Sequence, residues 1–278
     1  MCQIRLQGLL NLSLEWACLI RYSNCFLEIN QLETSHGTPA ISFYGVTKRY
    51  GKSVALDSLS LDVYPGELFG FLGRNGAGKT TAMKLATGLT RPTTGKVRIV
   101  GHDVQENPLP AKRLMGFVPD SPYIYESLTG REFMFYCAGL YRMNTYDTIR
   151  RVNHLFSRFD MEEWADKRAG EYSHGMKQRL VMASAFVHSP EVVFIDEPMV
   201  GLDPAGVKLV KDVLVEFCKG GGTVFMSTHT LSNAEELCDR IGIIKKGKLI
   251  AKGTIKEISK DNSSLEEAFL EMTKETTI

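Results

Sequence analysis

From Ala40 onward, two hydrophobic rhythms organise the chain. Ile41-Ser42-Phe43-Tyr44-Gly45-Val46 and Leu59-Ser60-Leu61-Asp62-Val63 alternate apolar and polar positions, as half-buried antiparallel strands do. Pro65-Gly66 then turns into Leu68-Phe69-Gly70-Phe71-Leu72, an apolar run suited to a strand buried on both faces. Further strands are predicted at 97–100, 116–120, 192–196 and 223–228, with a hairpin at 241–252 around Lys246-Gly247. Between 121 and 188 the period becomes helical. Thr129 and Glu132 form a capping box ahead of Phe133, Met134, Cys137, Ala138 and Tyr141, and Ile149, Val152, Phe156 and Phe159 recur at helical spacing; the aromatics among these are predicted as core. A third helix is predicted over 176–188. A fourth follows Gly201-Leu202-Asp203-Pro204, with Val207, Val210, Leu214 and Phe217 on one face and Gly220-Gly221-Gly222 closing it. A last one starts at Ser264, with Leu265, Ala268, Phe269 and Met272 as its apolar stripe. Strands alternating with helices indicate an α/β protein.

Residues 1–37 break this grammar. They are leucine-rich without a clean period, and Glu15 and Arg21 interrupt the apolar centre that a signal peptide needs; of an accessory helix, a weak amphipathic membrane-surface element and a poorly ordered extension, the last is expected there. The 278 residues suffice for one large or two modest domains with a substantial core. With 33 Lys+Arg against 32 Asp+Glu, the net charge of +1 gives no electrostatic reason to expect a nucleic-acid partner. Cysteines at 2, 18, 25, 137, 218 and 238 show no paired spacing of a zinc site and no disulfide density, so reduced thiols are expected. No uncharged apolar run reaches the length of a membrane span, which assigns any membrane work to another chain. The lysines of the 241–252 hairpin, with Lys256 and Lys260, are expected to protect a solvated edge strand.

Chemistry enters at Gly73-Arg74-Asn75-Gly76-Ala77-Gly78-Lys79-Thr80-Thr81, which fits the pattern glycine, four free positions, Gly-Lys and Ser/Thr. Glycines let successive N–H groups point at phosphate oxygens, and the loop feeds a helix whose N-terminal end favours an anion. Lys79 is placed to reach the outer phosphates, and the Thr80 hydroxyl to ligate the Mg²⁺ of a nucleoside triphosphate. The apolar strand before the loop and the helix formers after it supply the context this motif requires.

Asp196 and Glu197 end an apolar strand, an arrangement that repels itself without a compensating cation or positive site. Their chemical reading is Asp196 helping to hold Mg²⁺ and Glu197 polarising the water that attacks the terminal phosphate. His229 ends the strand at 223–228, where open α/β sheets keep their ligands. Asp120 also ends a strand. Tyr172-Ser173-His174-Gly175-Met176-Lys177-Gln178-Arg179 opens a helix, and either an ordinary cap or an anion site fits that octet. Tyr50 fits either a surface or core residue or a ring that stacks on adenine.

Together the loop at 73–81, the Ser-x-Gly helix start at 173–175, the Asp196-Glu197 pair and His229 resemble, in this order, the nucleotide-binding subunits of ABC transporters. The resemblance covers about 40–255. It implies a P-loop NTPase with a RecA-like core, an antiparallel β subdomain and an inserted helical subdomain at 119–190, together an ATPase domain at 38–255 with a helical tail at 256–278. It implies ATP and Mg²⁺ as cofactors. A second copy or a paralogue is the implied partner, clamping two ATP molecules head to tail so that the loop of one subunit faces Ser173 and Gly175 of the other. Tyr50 then resembles the adenine-stacking aromatic, Asp203 the inter-subunit aspartate and His229 the switch residue at the γ-phosphate. Tyr172-Ser173-His174-Gly175-Met176 departs from the family's Leu-Ser-Gly-Gly-Gln, and Asp120 stands where the family has glutamine, with shorter reach to the metal. The Tyr-Ser-His-Gly-Met form and the closing Ser-Leu-Glu-Glu-Ala-Phe-Leu-Glu-Met resemble bacterial ABC-2-type exporters, whose permease is a separate chain. Such a subunit is expected on the cytoplasmic face of the cell membrane. A soluble ABC-type ATPase acting on ribosomes or nucleic acid, and a non-hydrolysing nucleotide-dependent regulator, are the alternatives.

Overall fold

The computed structural model describes residues 37–259 and 264–274; the expectation for residues 1–37 and the placement of Lys260 lie outside them, apart from Gly37. The alternating segments form β1 (Ile41–Tyr50) and β2 (Ser53–Val63), an antiparallel hairpin that β4 (Thr94–Ile99) and β5 (His102–Asp103) complete as a four-stranded sheet in the order β2-β1-β4-β5. The apolar runs form β3 (Leu68–Leu72), β6 (Met115–Val118), β7 (Val192–Asp196) and β8 (Thr223–Thr228). With β9 (Arg240–Lys245) and β10 (Lys248–Gly253) they make a six-stranded sheet ordered β10-β9-β3-β8-β7-β6, parallel except at β10. Every residue of β3, β7 and β8 is buried, as expected of parallel strands covered on both faces.

Helices follow the strands: α1 (Lys79–Ala86), α2 (Pro108–Arg113), α3 (Gly130–Leu140), α4 (Thr145–Arg158), α5 (His174–Ala185), α6 (Pro204–Lys219), α7 (Leu231–Leu237), α8 (Ile255–Ser259) and α9 (Leu265–Thr273). Both halves of the capping box between Thr129 and Glu132 form at the start of α3. One core cluster joins the antiparallel sheet and α1 to one face of the six-stranded sheet. At its centre the Phe225 ring meets Phe43, Phe69, Phe71 and Phe194 at 5.3–6.0 Å between centroids. The other cluster unites α3–α7 and α9 with the opposite face.

Three local expectations are corrected. Ile149 is 46% exposed, because the buried stripe of α4 runs through Thr148, Val152, Leu155 and Phe156 instead. The third helix spans 174–185 rather than 176–188, since the Ser173 hydroxyl accepts from Met176 N and starts it earlier. Lys245 does not protect an edge; its Nζ donates to the carbonyls of Met272 and Lys274 at 3.2 and 2.7 Å, closing the C-terminal end of α9.

Candidate functional site

The order β3-β8-β7-β6 sets the carboxyl ends of four parallel strands side by side, where the loop at 73–78, His229, Asp196-Glu197 and Asp120 emerge. The loop itself is wedged between two strands. A Cβ at Gly73 would lie 2.7 Å from the Ile244 carbonyl of β9, and one at Gly78 2.7 Å from the Ala55 carbonyl of β2, so neither position admits a side chain. Gly78 also takes a φ of +115°, which glycine alone adopts readily. Gly247 N donates to Ala77 O at 2.8 Å and fastens the β9–β10 turn to the loop. Gly78 starts α1 without any side-chain cap, leaving helix N–H groups directed at the loop's mouth. Arg74, Asn75 and Gly76 form its exposed crown, while Thr81 is half-buried one residue into the helix after Thr80.

Lys79 is 7% exposed, and its ammonium donates to Gly73 O at 2.7 Å. Burial lowers its pKa, while the nearby Glu197 and Asp196 carboxylates oppose that shift. Asp196, 4% exposed, accepts from the Thr80 hydroxyl at 3.3 Å on one oxygen and from the Ser227 hydroxyl on the other. Burial raises its pKa most, Asp120 and Glu197 add to the rise, and the two hydroxyls counter it. Two oxygen donors, Thr80 Oγ1 and Asp196 Oδ2, thus meet beside a strongly acidic edge, a donor set suited to Mg²⁺.

Glu197 adopts a left-handed backbone, φ +50°, pinned by its N–H donating to Ser227 O at 3.0 Å. That twist turns its carboxylate toward β8. There it accepts from Thr228 Oγ1 at 3.0 Å, from His229 N at 3.0 Å and from His229 Nδ1 at 2.7 Å. Ser227 and Thr228 were not singled out from the sequence. Polar residues ending β8 beside an acidic end of its neighbour β7 were the available signal.

Ser173, Gly175 and Asp203 gather elsewhere. The His174 ring lies against the Gly201 α-carbon, Gly175 faces Leu202, and Asp203 caps α6 by accepting from Gly206 N at 3.0 Å. Tyr172, buried where the family has leucine, donates its hydroxyl to Trp164 O at 2.7 Å. Among the described residues, no hydrogen bond or ion pair joins Ser173 or Asp203 to the loop. Tyr50, 51% exposed, stands at the end of the β1–β2 hairpin. Asp120 is exposed and influences Asp196 through charge.

The family model for ABC transporters matches residues 56–200, more than half of the chain. Among relatives, an ABC transporter ATP-binding protein of Nostoc sp. is 39% identical over 209 residues, 74% of this chain and 62% of that protein. The Nod factor export ATP-binding protein I of Burkholderia thailandensis is 38% identical over 213 residues, 77% of this chain and 70% of that protein. A solved ATP-binding subunit of an ABC transporter superposes with a TM-score of 0.80 at 31% identity, covering 85% of this chain and all of the other. No helix among the described residues is long and apolar enough to cross a membrane. The P-loop fold, the matched family and these relatives agree: the chain belongs to the ABC transporter family, as an ATP-binding subunit of the ATPase type.

Proposed function

We propose that this subunit binds MgATP in the 73–81 loop and hydrolyses it to energise export through a separate permease, docked at the cytoplasmic face of the cell membrane. The observation that carries hydrolysis is the Glu197 carboxylate, oriented by Thr228 and both nitrogen donors of His229 next to Lys79 and Asp196. In this reading the loop amides from Gly73 to Gly78, with the ends of Arg74 and Asn75, cradle the phosphates. Lys79 moves from Gly73 O to the outer phosphates, a short reach for a flexible ammonium. Thr80 and Asp196 would hold Mg²⁺, with Asp120 close enough to act by charge and too exposed and short to count as a firm ligand. The bound ion neutralises charge on the phosphate oxygens.

Glu197 accepts a proton from the attacking water, and its three hydrogen bonds fix which way the accepting oxygens point. With His229 Nδ1 turned to Glu197, Nε2 is the ring atom left for the γ-phosphate, to which it donates only when the ring carries both protons. Tyr50 stacks on the adenine. Ser173 and Gly175 offer the N-terminus of α5, and Asp203 the adjoining edge, to the nucleotide of a second copy or paralogue in a head-to-tail dimer. The exposure of Ser173 and Asp203, away from their own loop, supports that arrangement. Export is supported by the Burkholderia relative, whose name specifies it.

The test is Glu197→Gln. It keeps the size and hydrogen-bonding shape while removing the base, so ATP-dependent dimerisation should persist and steady-state phosphate release should fall by at least about 100-fold. Undiminished phosphate release would refute the role of Glu197.

A further inference from the structure

Two residues before Tyr50, Lys48 lies on the same side of β1, because side chains two apart on a strand share a face. The β1–β2 pairing slips here: Lys48 pairs with Leu56, but Arg49 pairs with Val54 and Tyr50 with Ser53, which leaves Ala55 as a bulged residue on β2. The Ala55 carbonyl is the one that seats against Gly78, so the hairpin carrying Tyr50 rests on the phosphate loop. The Lys48 ammonium stands 4.9 Å from the centroid of the Tyr50 ring, within cation–π range. A strand lysine ordinarily extends its head into water. This head donates instead to the Arg91 carbonyl at 2.7 Å, in the connection between α1 and β4. The same connection is tied to β1 twice more, by Arg49 N to Thr93 Oγ1 at 3.0 Å and by Thr93 N to Thr47 O at 2.8 Å. The cation is therefore fixed, while the ring beside it is half exposed.

We propose that Lys48 is the positioning residue of the Tyr50 ring: clamped between the Arg91 carbonyl and one face of the ring, it presents the other face to the adenine of a nucleotide whose phosphates lie in the 73–81 loop. The inference rests on the reading of Tyr50 as the stacking residue. Holding the ring in place lowers the rotamer freedom lost on stacking, so the effect belongs to base affinity and not to phosphate affinity.

Calorimetric titration of the full chain with ATP and with inorganic tripolyphosphate, each with Mg²⁺, separates these contributions. Lys48→Met should weaken ATP binding about two- to fivefold, the size of an exposed cation–π contact, and leave tripolyphosphate binding unchanged. Lys48→Gln, which keeps a donor for Arg91 O without the charge, should behave as Lys48→Met, and Lys48→Arg should restore ATP affinity. Tyr50→Ala should weaken ATP binding alone, with no further loss when Lys48→Met is added. Equal weakening of both ligands by Lys48→Met would overturn the inference, assigning the lysine to the phosphates or the loop. An unchanged ATP affinity in Lys48→Met, with Tyr50→Ala still impaired, would overturn it as well. Failure of Tyr50→Ala to discriminate between the two ligands would instead remove the stacking reading beneath it.

Discussion

Two helix N-termini carry the residues that matter here, and they are built in opposite ways. α1 starts at Gly78 in a left-handed conformation with no side chain over its amides, enclosed by Ile244, Ala55 and the Gly247 turn. α5 starts at Ser173, whose hydroxyl already caps the helix, and both Ser173 and His174 are exposed. The first end favours an anion, because its helix amides have no side-chain cap and no acidic side chain in the first turn. The second is stable by its own chemistry and can fold without any ligand. A loop held ready for phosphate and a capped, outward-facing turn are what two half-sites on different subunits require.

The loop half should break hardest. Lys79→Ala removes the buried ammonium that balances Asp196 and Glu197 and, in the proposed function, a charge-assisted contact to phosphate. Such contacts contribute about 1.5–3 kcal/mol, so ATP affinity should fall about 10- to 100-fold and hydrolysis with it. Tripolyphosphate binding should fall in step, the opposite of the base-selective loss expected at Lys48. Retained ATP affinity in titration calorimetry would show that the cradle amides suffice without Lys79.

At the Ser173 turn, Ser173→Asp separates capping from recognition. Aspartate is as good a cap as serine, so the melting temperature should stay within about 2 °C. Its charge would face the partner's phosphates, so in a Glu197→Gln background ATP-driven dimerisation should weaken at least tenfold while the monomer binds ATP normally. Size-exclusion chromatography with and without ATP reads this directly. Undisturbed dimerisation would show that Ser173 is only a cap.

The loop half was far more legible in the sequence than the contacts around it. Gly73 to Thr81 announces its geometry through residue type, since glycine is demanded by close backbone approach from Ile244 and Ala55. β3, β7 and β8 were equally plain because strands buried on both faces read as unbroken apolar runs. Ser227 and Thr228 escaped notice because their importance depends on β8 lying beside β7, a nonlocal fact that no local pattern encodes. Lys48 escaped for the same reason: its partner carbonyl at Arg91 lies beyond the loop and α1, and a lysine near a tyrosine looks like ordinary surface. Ile149 misled through helical phase, where one position separates the buried Thr148 from an exposed isoleucine.

The smallest effect asks whether the loop half is strained in a way the capped turn at Ser173 is not. Burial, with help from Asp120 and Glu197, holds the Asp196 carboxyl above the ordinary aspartate range. A carboxyl with a higher pKa in the folded than in the unfolded chain binds protons more readily when folded. Its ionisation therefore costs stability as pH rises through the window above the ordinary aspartate value. Asp196→Asn should remove it, so the nucleotide-free variant should melt about 2–4 °C above wild type at pH 7, with the difference shrinking as the medium is acidified into the carboxylate range. Hydrolysis should be lost at the same time. Asp203→Asn, at a capping position where asparagine serves as well, should leave the melting temperature unchanged at both pH values. An Asp196→Asn variant that melts below wild type at pH 7 would mean that the Thr80 and Ser227 hydroxyls more than compensate the buried charge. The loop half would then be as settled in itself as the capped turn at Ser173.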